Sequence, residues 1–222
     1  MLSDSLVLVD FYNATGGPNW TNTWDLSEPI STWYGVFVDS CGVTCLDLDG
    51  NFNCNNSIYS GNNLIGSLIE LNLPNLRTLY LYSNQLSGSI PSFDNLVNLE
   101  YLGLSGNQLN GSIPSFDNLS NLQQLGLSGN QLSGSIPSFD NLVNLQHLGV
   151  SWNQLSGRIP SFDNLVNLQA LYLDHNQLES ASNFQNLTNL MNLHLHNNHL
   201  NFTDLLPNTS IPNYQYLSLI HI

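Results

Sequence analysis

Aromatic, imidazole and carboxylate side chains return along this chain at a fixed step, and that spacing is where its chemistry must be sought. Within a recurring stretch LxxLxLxxN, the fifth position reads Tyr80, Gly103, Gly126, Gly149, Tyr172, His194 and the seventh reads Tyr82, Ser105, Ser128, Ser151, Asp174, His196. The third position adds Tyr101, Gln124 and His147, and the eighth adds Gly106, Gly129, Trp152 and His175. If LxxLxL is a strand, alternate side chains leave on one face and these columns share a surface. The middle of that surface is a floor of Gly and Ser with aromatic ends; Tyr80 and Tyr172, four strands apart, would stand about 19 Å from one another at the usual strand spacing. Such a trough suits a peptide segment or an oligosaccharide, because aromatic rings supply the apolar area that dominates such interfaces. The ligand-binding candidates are therefore Tyr80, Tyr82, Tyr101, Gln124, His147, Trp152, Tyr172, Asp174, His194 and His196.

Trp152 is the sharpest of these. Between the units that start at Leu122 and Leu145 the main changes are Gln124 to His147, Gly129 to Trp152 and Ser135 to Arg158, so a small solvated position acquires a large anchor. Packing of Trp152 on Tyr172 or His175 is the competing explanation, as recent duplication is for the glycine floor. His194 and His196 would share a face beside Asp174 and His175, with His199 following, and two imidazoles and a carboxylate could hold zinc or copper. Surface histidines that tune binding with pH account for the same residues, and the sequence assigns no metal and no cofactor. No nucleophile, base and orienting group converge in the columns, and there is no phosphate-cradling loop, so no enzyme is expected.

The elements that position these residues follow from the pattern LxxLxLxxNQLxGSIPSFDNLxN, which recurs every 23 residues from Leu76, Leu99, Leu122 and Leu145. Each unit supplies one short strand and one return segment and cannot bury its own apolar face, so neighbours must stack into a solenoid with a continuous core. The fold expected is an α/β repeat solenoid: a right-handed leucine-rich-repeat horseshoe with a parallel concave sheet, an irregular or 3-10 convex side and a helical N-terminal cap. Asn84, Asn107, Asn130, Asn153, Asn176 and Asn198 stand where the chain leaves the strand, and their amides should satisfy buried backbone groups of neighbouring turns. Phe93, Phe116, Phe139, Phe162 and Phe184 should stack as a spine, and Pro91, Pro114, Pro137 and Pro160 should end any second ladder formed by Gly-Ser-Ile. Units beginning at Leu168 and Leu190 run 22 and 24 residues and lose the Gly-Ser-Ile-Pro segment.

Residues 1–42 read as the cap, 43–216 as the repeats and 217–222 as a tail foreign to them. A helix is expected over residues 3–12, with Ser3 at its N-cap, apolar residues at Leu6, Val7, Val9 and Phe11, and Gly16-Gly17 as its stop. Trp20, Trp24 and Trp33 follow, then a first strand from Val43 to Leu48 and an insertion from Asp49 to Ser60. Cys54 in that insertion could pair with Cys41 or Cys45, or all three thiols could be reduced. The tail LSLIHI reads as a translated sequencing-library adapter, which would place the natural sequence's last residue near Tyr216; a further strand is the alternative, since Tyr214, Leu217 and Leu219 also fit LxxLxL.

Composition narrows the partners. The 222 residues carry 16 acidic side chains against Arg77 and Arg158, for a net charge of -14, which repels nucleic acid and anionic lipid. Only 8% of residues are charged, an uncharged polar surface typical of extracellular proteins. Asn13, Asn19, Asn55, Asn110, Asn118, Asn186, Asn201 and Asn208 lie in N-x-Ser/Thr sequons and would accept glycans in a secretory pathway. The start MLSDSLVLVDFY has no basic region and no stretch reaches transmembrane length, so either a leader lies upstream or the protein is cytosolic.

The LxGxIP variant of the repeat resembles the plant-type leucine-rich repeat of receptor-like kinase ectodomains and polygalacturonase-inhibiting proteins. The segment LVLVDFYNATGGPNWTNTW, with TWYGV and VTCLDLDGN, resembles the N-terminal cap of secreted leucine-rich-repeat proteins. That cap usually reads C-x-W-x-G-V-x-C, whereas Ser31 and Val38 occupy the cysteine places here, so that disulfide is absent. The resemblance implies a non-catalytic, extracellular or cell-surface recognition module, monomeric, binding a protein or peptide through its concave face. A membrane span or kinase domain could follow residue 216 in the intact gene. The alternative is a secreted ice- or polysaccharide-binding protein, with cell-wall oligosaccharide as ligand, suggested by low charge and by rows at Ser89, Ser112, Ser135 and at Ser92, Ser115, Ser138, Ser161.

Overall fold

A computed structural model of the chain describes residues 2–49 and 61–201. A helix, α1 (Leu2–Ala14), is followed by β1 (Val36–Asp39), β2 (Gly42–Asp47), β3 (Ile65–Ser67), β4 (Thr78–Tyr80), β5 (Gln85–Ser89), β6 (Tyr101–Gly103) and β7 (Gln108–Gly111). Then come β8 (Gln124–Gly126), β9 (Gln131–Gly134), β10 (His147–Gly149), β11 (Gln154–Ile159), β12 (Ala170–Tyr172), β13 (Gln177–Ala181) and β14 (Asn192–His194). They form two sheets, one in the order β1-β2-β4-β6-β8-β10-β12-β14 and the other in the order β13-β11-β9-β7-β5-β3. This is the solenoid that the repeat demands.

The repeat length sets the register. Leu79, Leu102, Leu125, Leu148, Leu171 and Leu193 pair in sequence across the first sheet, so each residue type meets its own kind one turn later. These leucines and those at the first and sixth positions, apart from the half-buried Leu195, are almost fully buried, each burial stabilising by about 1.5–3 kcal/mol. Phe93, Phe116, Phe139, Phe162 and Phe184 form the expected spine, with Phe139, Phe162 and Phe184 stacked at centroid separations of 6.5 and 6.4 Å. The second ladder begins three residues earlier than expected, at Gln85, Gln108, Gln131, Gln154 and Gln177, and ends before Pro91, Pro114, Pro137 and Pro160 where the unit carries one. The 3-10 turns lie in the cap, at Gly17–Asn19 and Ile30–Thr32, while the convex side consists of turns around Asp-Asn-Leu.

The cap closes the core with aromatic rings. Leu8, Phe11 and Tyr12 are the buried residues of α1, whereas Leu6 is exposed. Tyr12, Trp20, Trp24 and Trp33 pack in a chain of ring contacts 4.8–5.0 Å apart. Each buried indole N–H finds a carbonyl: Trp20 donates to Thr15 at 2.7 Å, Trp24 to Tyr34 at 2.8 Å and Trp33 to Asp25 at 2.9 Å. The first sheet begins with a hairpin that the sequence reading did not foresee, β1 running antiparallel to β2. Asp39 makes the turn, its carboxylate accepting the Cys41 and Gly42 N–H groups at 2.6 and 3.2 Å. Cys45 is disulfide-bonded and Cys41 is free and exposed; Cys54 lies outside the described residues, as do Asn55, Asn208 and the tail from Leu217 to Ile222. The other six sequon asparagines are exposed. No helix among the described residues is long and apolar enough to cross a membrane.

The turns are held together by asparagine. The amide oxygen of Asn107 accepts the Leu86 N–H of the preceding turn at 3.0 Å, and its nitrogen donates to the Leu81 and Leu104 carbonyls at 2.9 and 3.0 Å. Asn84, Asn130, Asn153, Asn176 and Asn198 make the same bonds in their own turns. A second asparagine row, on the surface, spans one bond each: Asn98, Asn121, Asn144, Asn167 and Asn189 donate to a carbonyl of the preceding turn at 2.8–2.9 Å. Replacing Asn107 by Ala strands three buried backbone groups and should lower the unfolding free energy by about 2–4 kcal/mol. Asn121→Ala, which removes one exposed bond, should cost under about 1 kcal/mol; urea denaturation of the two variants checks the contrast.

Candidate functional site

The first sheet presents its third, fifth and seventh positions outward, and neighbouring strands decide which of them stay accessible. Tyr80 is buried, packed against Tyr82 at 5.3 Å and Tyr101 at 6.4 Å. Tyr101 turns to the side and donates from its hydroxyl to Gln123 at 3.2 Å. Tyr82 instead lies across the sheet. A β-carbon at Gly103 would overlap its ring, and one at Gly126 would meet its hydroxyl at 3.2 Å. The glycines of β6 and β8 are thus the bed on which this tyrosine rests.

Beyond Tyr82 opens a groove of about 400 Å³. Tyr82 forms one wall and Tyr172 the other, with Gly126, Gly149, Ser105 and Ser128 as floor and Gln124 and His147 at one edge. Ser83 and Gly106, in the turn after the strand, complete the lip. Ser83 escaped the sequence reading, although it continues the eighth-position column. The His147 ring is half-buried, its Nδ1 has no hydrogen-bond partner, and burial pushes its pKa below the ordinary 6.5. The groove is accordingly uncharged, with apolar walls and small hydroxyls on its floor.

Trp152, Asp174, His194 and His196 stand apart from this groove and gather around Asp174. The eighth position of every unit is a left-handed turn, with φ near +55° at Ser83, Trp152, His175 and Asn197 and glycine at Gly106 and Gly129. Trp152 therefore points from a corner rather than from the strand. It stacks on His175 at a centroid separation of 3.5 Å and 13° between planes, yet remains 60% exposed. The Asp174 carboxylate is buried, accepting the Ser151 hydroxyl at 2.6 Å and facing His175 Nδ1 at 2.9 Å. His194 Nδ1 and His196 Nε2 lie 3.8 and 3.7 Å from its oxygens. Burial alone would raise the Asp174 pKa; the hydrogen bonds from Ser151 and His175 and the charge of His196 outweigh it and hold the group below the ordinary carboxylate value. Tyr172 links the two regions, its ring meeting His194 edge-on at 4.8 Å.

A family model described as Leucine Rich repeats (2 copies) matches residues 74–120 and 97–141, and one described as Leucine Rich Repeat matches residues 144–165. A chain of the BIR3–SERK2 complex from Arabidopsis thaliana is 31% identical, with TM-score 0.60, over 81% of this chain and 95% of that one. The chain belongs to the leucine-rich-repeat proteins. The LRR ectodomain of the Arabidopsis receptor kinase HAESA, solved with an N-terminally extended IDA peptide hormone, is 33% identical with TM-score 0.77, over 90% of this chain. A Leptospira interrogans LRR protein is 34% identical with TM-score 0.56, over 62% of this chain and 36% of that one. This LRR chain spans about a third of the HAESA ectodomain's length, 34%. No curated protein sequence matches it.

The His147 shift carries a sign. Its folded pKa lies below its unfolded value, so folding releases a proton once the pH falls under about 6.5, and stability declines from there down to the folded pKa. His147→Gln, which installs the residue found at Gln124, should flatten that decline. Urea midpoints at pH 7.5 and pH 5 for both proteins check it: the wild type should lose more stability than the variant, and equal losses would contradict the assignment.

Proposed function

We propose that this chain is a non-catalytic recognition module that seats an extended peptide segment along its concave face, with the groove between Tyr82 and Tyr172 as the principal contact. The observation that carries the reading is that groove itself, about 400 Å³, aromatic at both walls and floored by glycine and serine. A peptide backbone can approach such a floor closely, while the rings clasp side chains on either side. The related HAESA ectodomain, solved with the peptide hormone IDA, supports the same class of ligand. Trp152, exposed at the rim, extends the apolar contact beyond Tyr172. The reading carries with it an extracellular or cell-surface location, glycans on the exposed sequons and a monomeric chain. Cap, repeats and tail divide as residues 1–42, 43–216 and 217–222.

One of the two serine rows does not favour the alternative of an ice- or polysaccharide-binding plane. Ser115 and Ser138 donate to Asp117 and Asp140 at 2.7 and 2.8 Å, and Ser92 to Glu70 at 3.2 Å, so these hydroxyls are committed within the chain.

Selection of a random displayed peptide library on the whole chain tests the proposal. Enriched peptides should bind the wild type and lose about tenfold or more in affinity to Tyr172→Ala, an aromatic at the centre of the contact. Enriched peptides whose affinity is unchanged by Tyr172→Ala and by Tyr82→Ala would overturn it. Trp152→Gly separates packing from recognition. It restores the residue of the two preceding units in a backbone conformation that glycine adopts freely, so the unfolding midpoint should hold or rise while peptide affinity falls.

A further inference from the structure

The groove leaves one cluster unexplained. Asp174 is a buried carboxylate surrounded by imidazoles, and the ligand-capable atoms of Asp174, His175 and His196 all lie within 4.8 Å of one another. His194 Nδ1 stands 3.8 Å from the same carboxylate. No fixed cation balances the carboxylate: the chain's only Arg or Lys residues are Arg77 and Arg158, and they bond to Glu100 and to Ser182. The scaffold beneath is rigid. Asp174 and His175 follow β12 while His194 and His196 belong to the next turn, and backbone bonds tie the two, Leu173 N–H to His194 at 2.9 Å and His175 N–H to His196 at 3.0 Å.

We infer that Asp174, His175 and His196, with His194 beside them, form a binding site for one first-row divalent transition-metal ion, zinc or copper, at the rim of the concave face. Imidazole nitrogen with a single carboxylate is the donor set of such ions, whereas calcium and magnesium require mostly oxygen. Zinc places its ligands about 2.0–2.2 Å away at tetrahedral angles, so neighbouring donors stand about 3.4 Å apart. The donor atoms now lie within 4.8 Å of one another, so binding requires the His175 and His196 side chains to rotate inward. On binding, the metal takes the place of the proton shared between His175 Nδ1 and Asp174, 2.9 Å apart, and that proton leaves to solvent. The Ser151 hydroxyl, 2.6 Å from the other oxygen of Asp174, would orient the carboxylate. Because His175 carries Trp152 against its ring, the ion would also fix the indole.

The assignment stands apart from the peptide-binding reading and is tested with the metals alone. The protein is the whole chain, free of any histidine tag and carrying Cys41→Ser to remove the exposed thiol. Calorimetric titration with Zn2+ should give one site per chain, and Cu2+ should quench the Trp152 fraction of the fluorescence, which Trp152→Phe identifies. His196→Ser and His175→Asn install residues that the same positions carry in other units, Ser151 and Asn197, so the fold is kept. Each should weaken Zn2+ binding at least about tenfold. No Zn2+ binding at millimolar concentration, or a single site indifferent to both substitutions, would overturn the inference.

Discussion

A buried backbone group without a partner is what a stacked repeat can least tolerate, and here one side chain per turn prevents it. Asparagine carries two donors and an acceptor on a short planar stem, which lets Asn107 serve three backbone groups in two successive turns at once. The bonds close only if neighbouring asparagines remain one repeat apart in register, so the ladder fixes the step and the step aligns the leucines. Units near the C-terminal side change length and lose Gly-Ser-Ile-Pro, yet Asn176 and Asn198 keep their bonds. The return segment can vary; the corner cannot.

With register fixed by the interior, the outward positions of the first sheet are released from structural duty. They are not independent of one another, however. Tyr82 lies down because Gly103 offers no β-carbon, and in lying down it covers one end of the glycine floor and becomes the wall of what is left. The opposite wall, Tyr172, is held by His194, which in turn faces Asp174. An aromatic groove and an imidazole–carboxylate cluster therefore share a boundary residue, one presenting apolar surface and the other concentrated charge and donors.

What the sequence made legible was whatever repeats. The leucine columns, the asparagine corner and the phenylalanine spine stand where periodicity puts them, because identical residues in register must meet. Contacts that cross columns were not legible. Periodicity ranked Tyr80 and Tyr82 alike, but only the former is buried, since Tyr82 and Tyr101 close over it. It placed the eighth position beside the strand columns, whereas the left-handed turn sends Trp152 to the rim and against His175. The β1 hairpin was missed because Trp-Tyr-Gly-Val reads as cap loop; the β-branched and aromatic run Val36-Phe37-Val38 and the Asx turn at Asp39 were its signals. Between Cys41 and Cys45 spacing could not choose, and burial of Cys45 within β2 distinguishes them.

The central claim is that ligand meets this chain on the concave groove rather than elsewhere on the solenoid. Photo-crosslinking reports contact directly. A photoreactive phenylalanine analogue is placed at Gln124, on the groove edge, and separately at Glu179, exposed on the second sheet, and each protein is irradiated with a bound peptide. Adducts from position 124 alone are the result the account predicts; adducts from position 179 alone, or from both in equal yield, would contradict it.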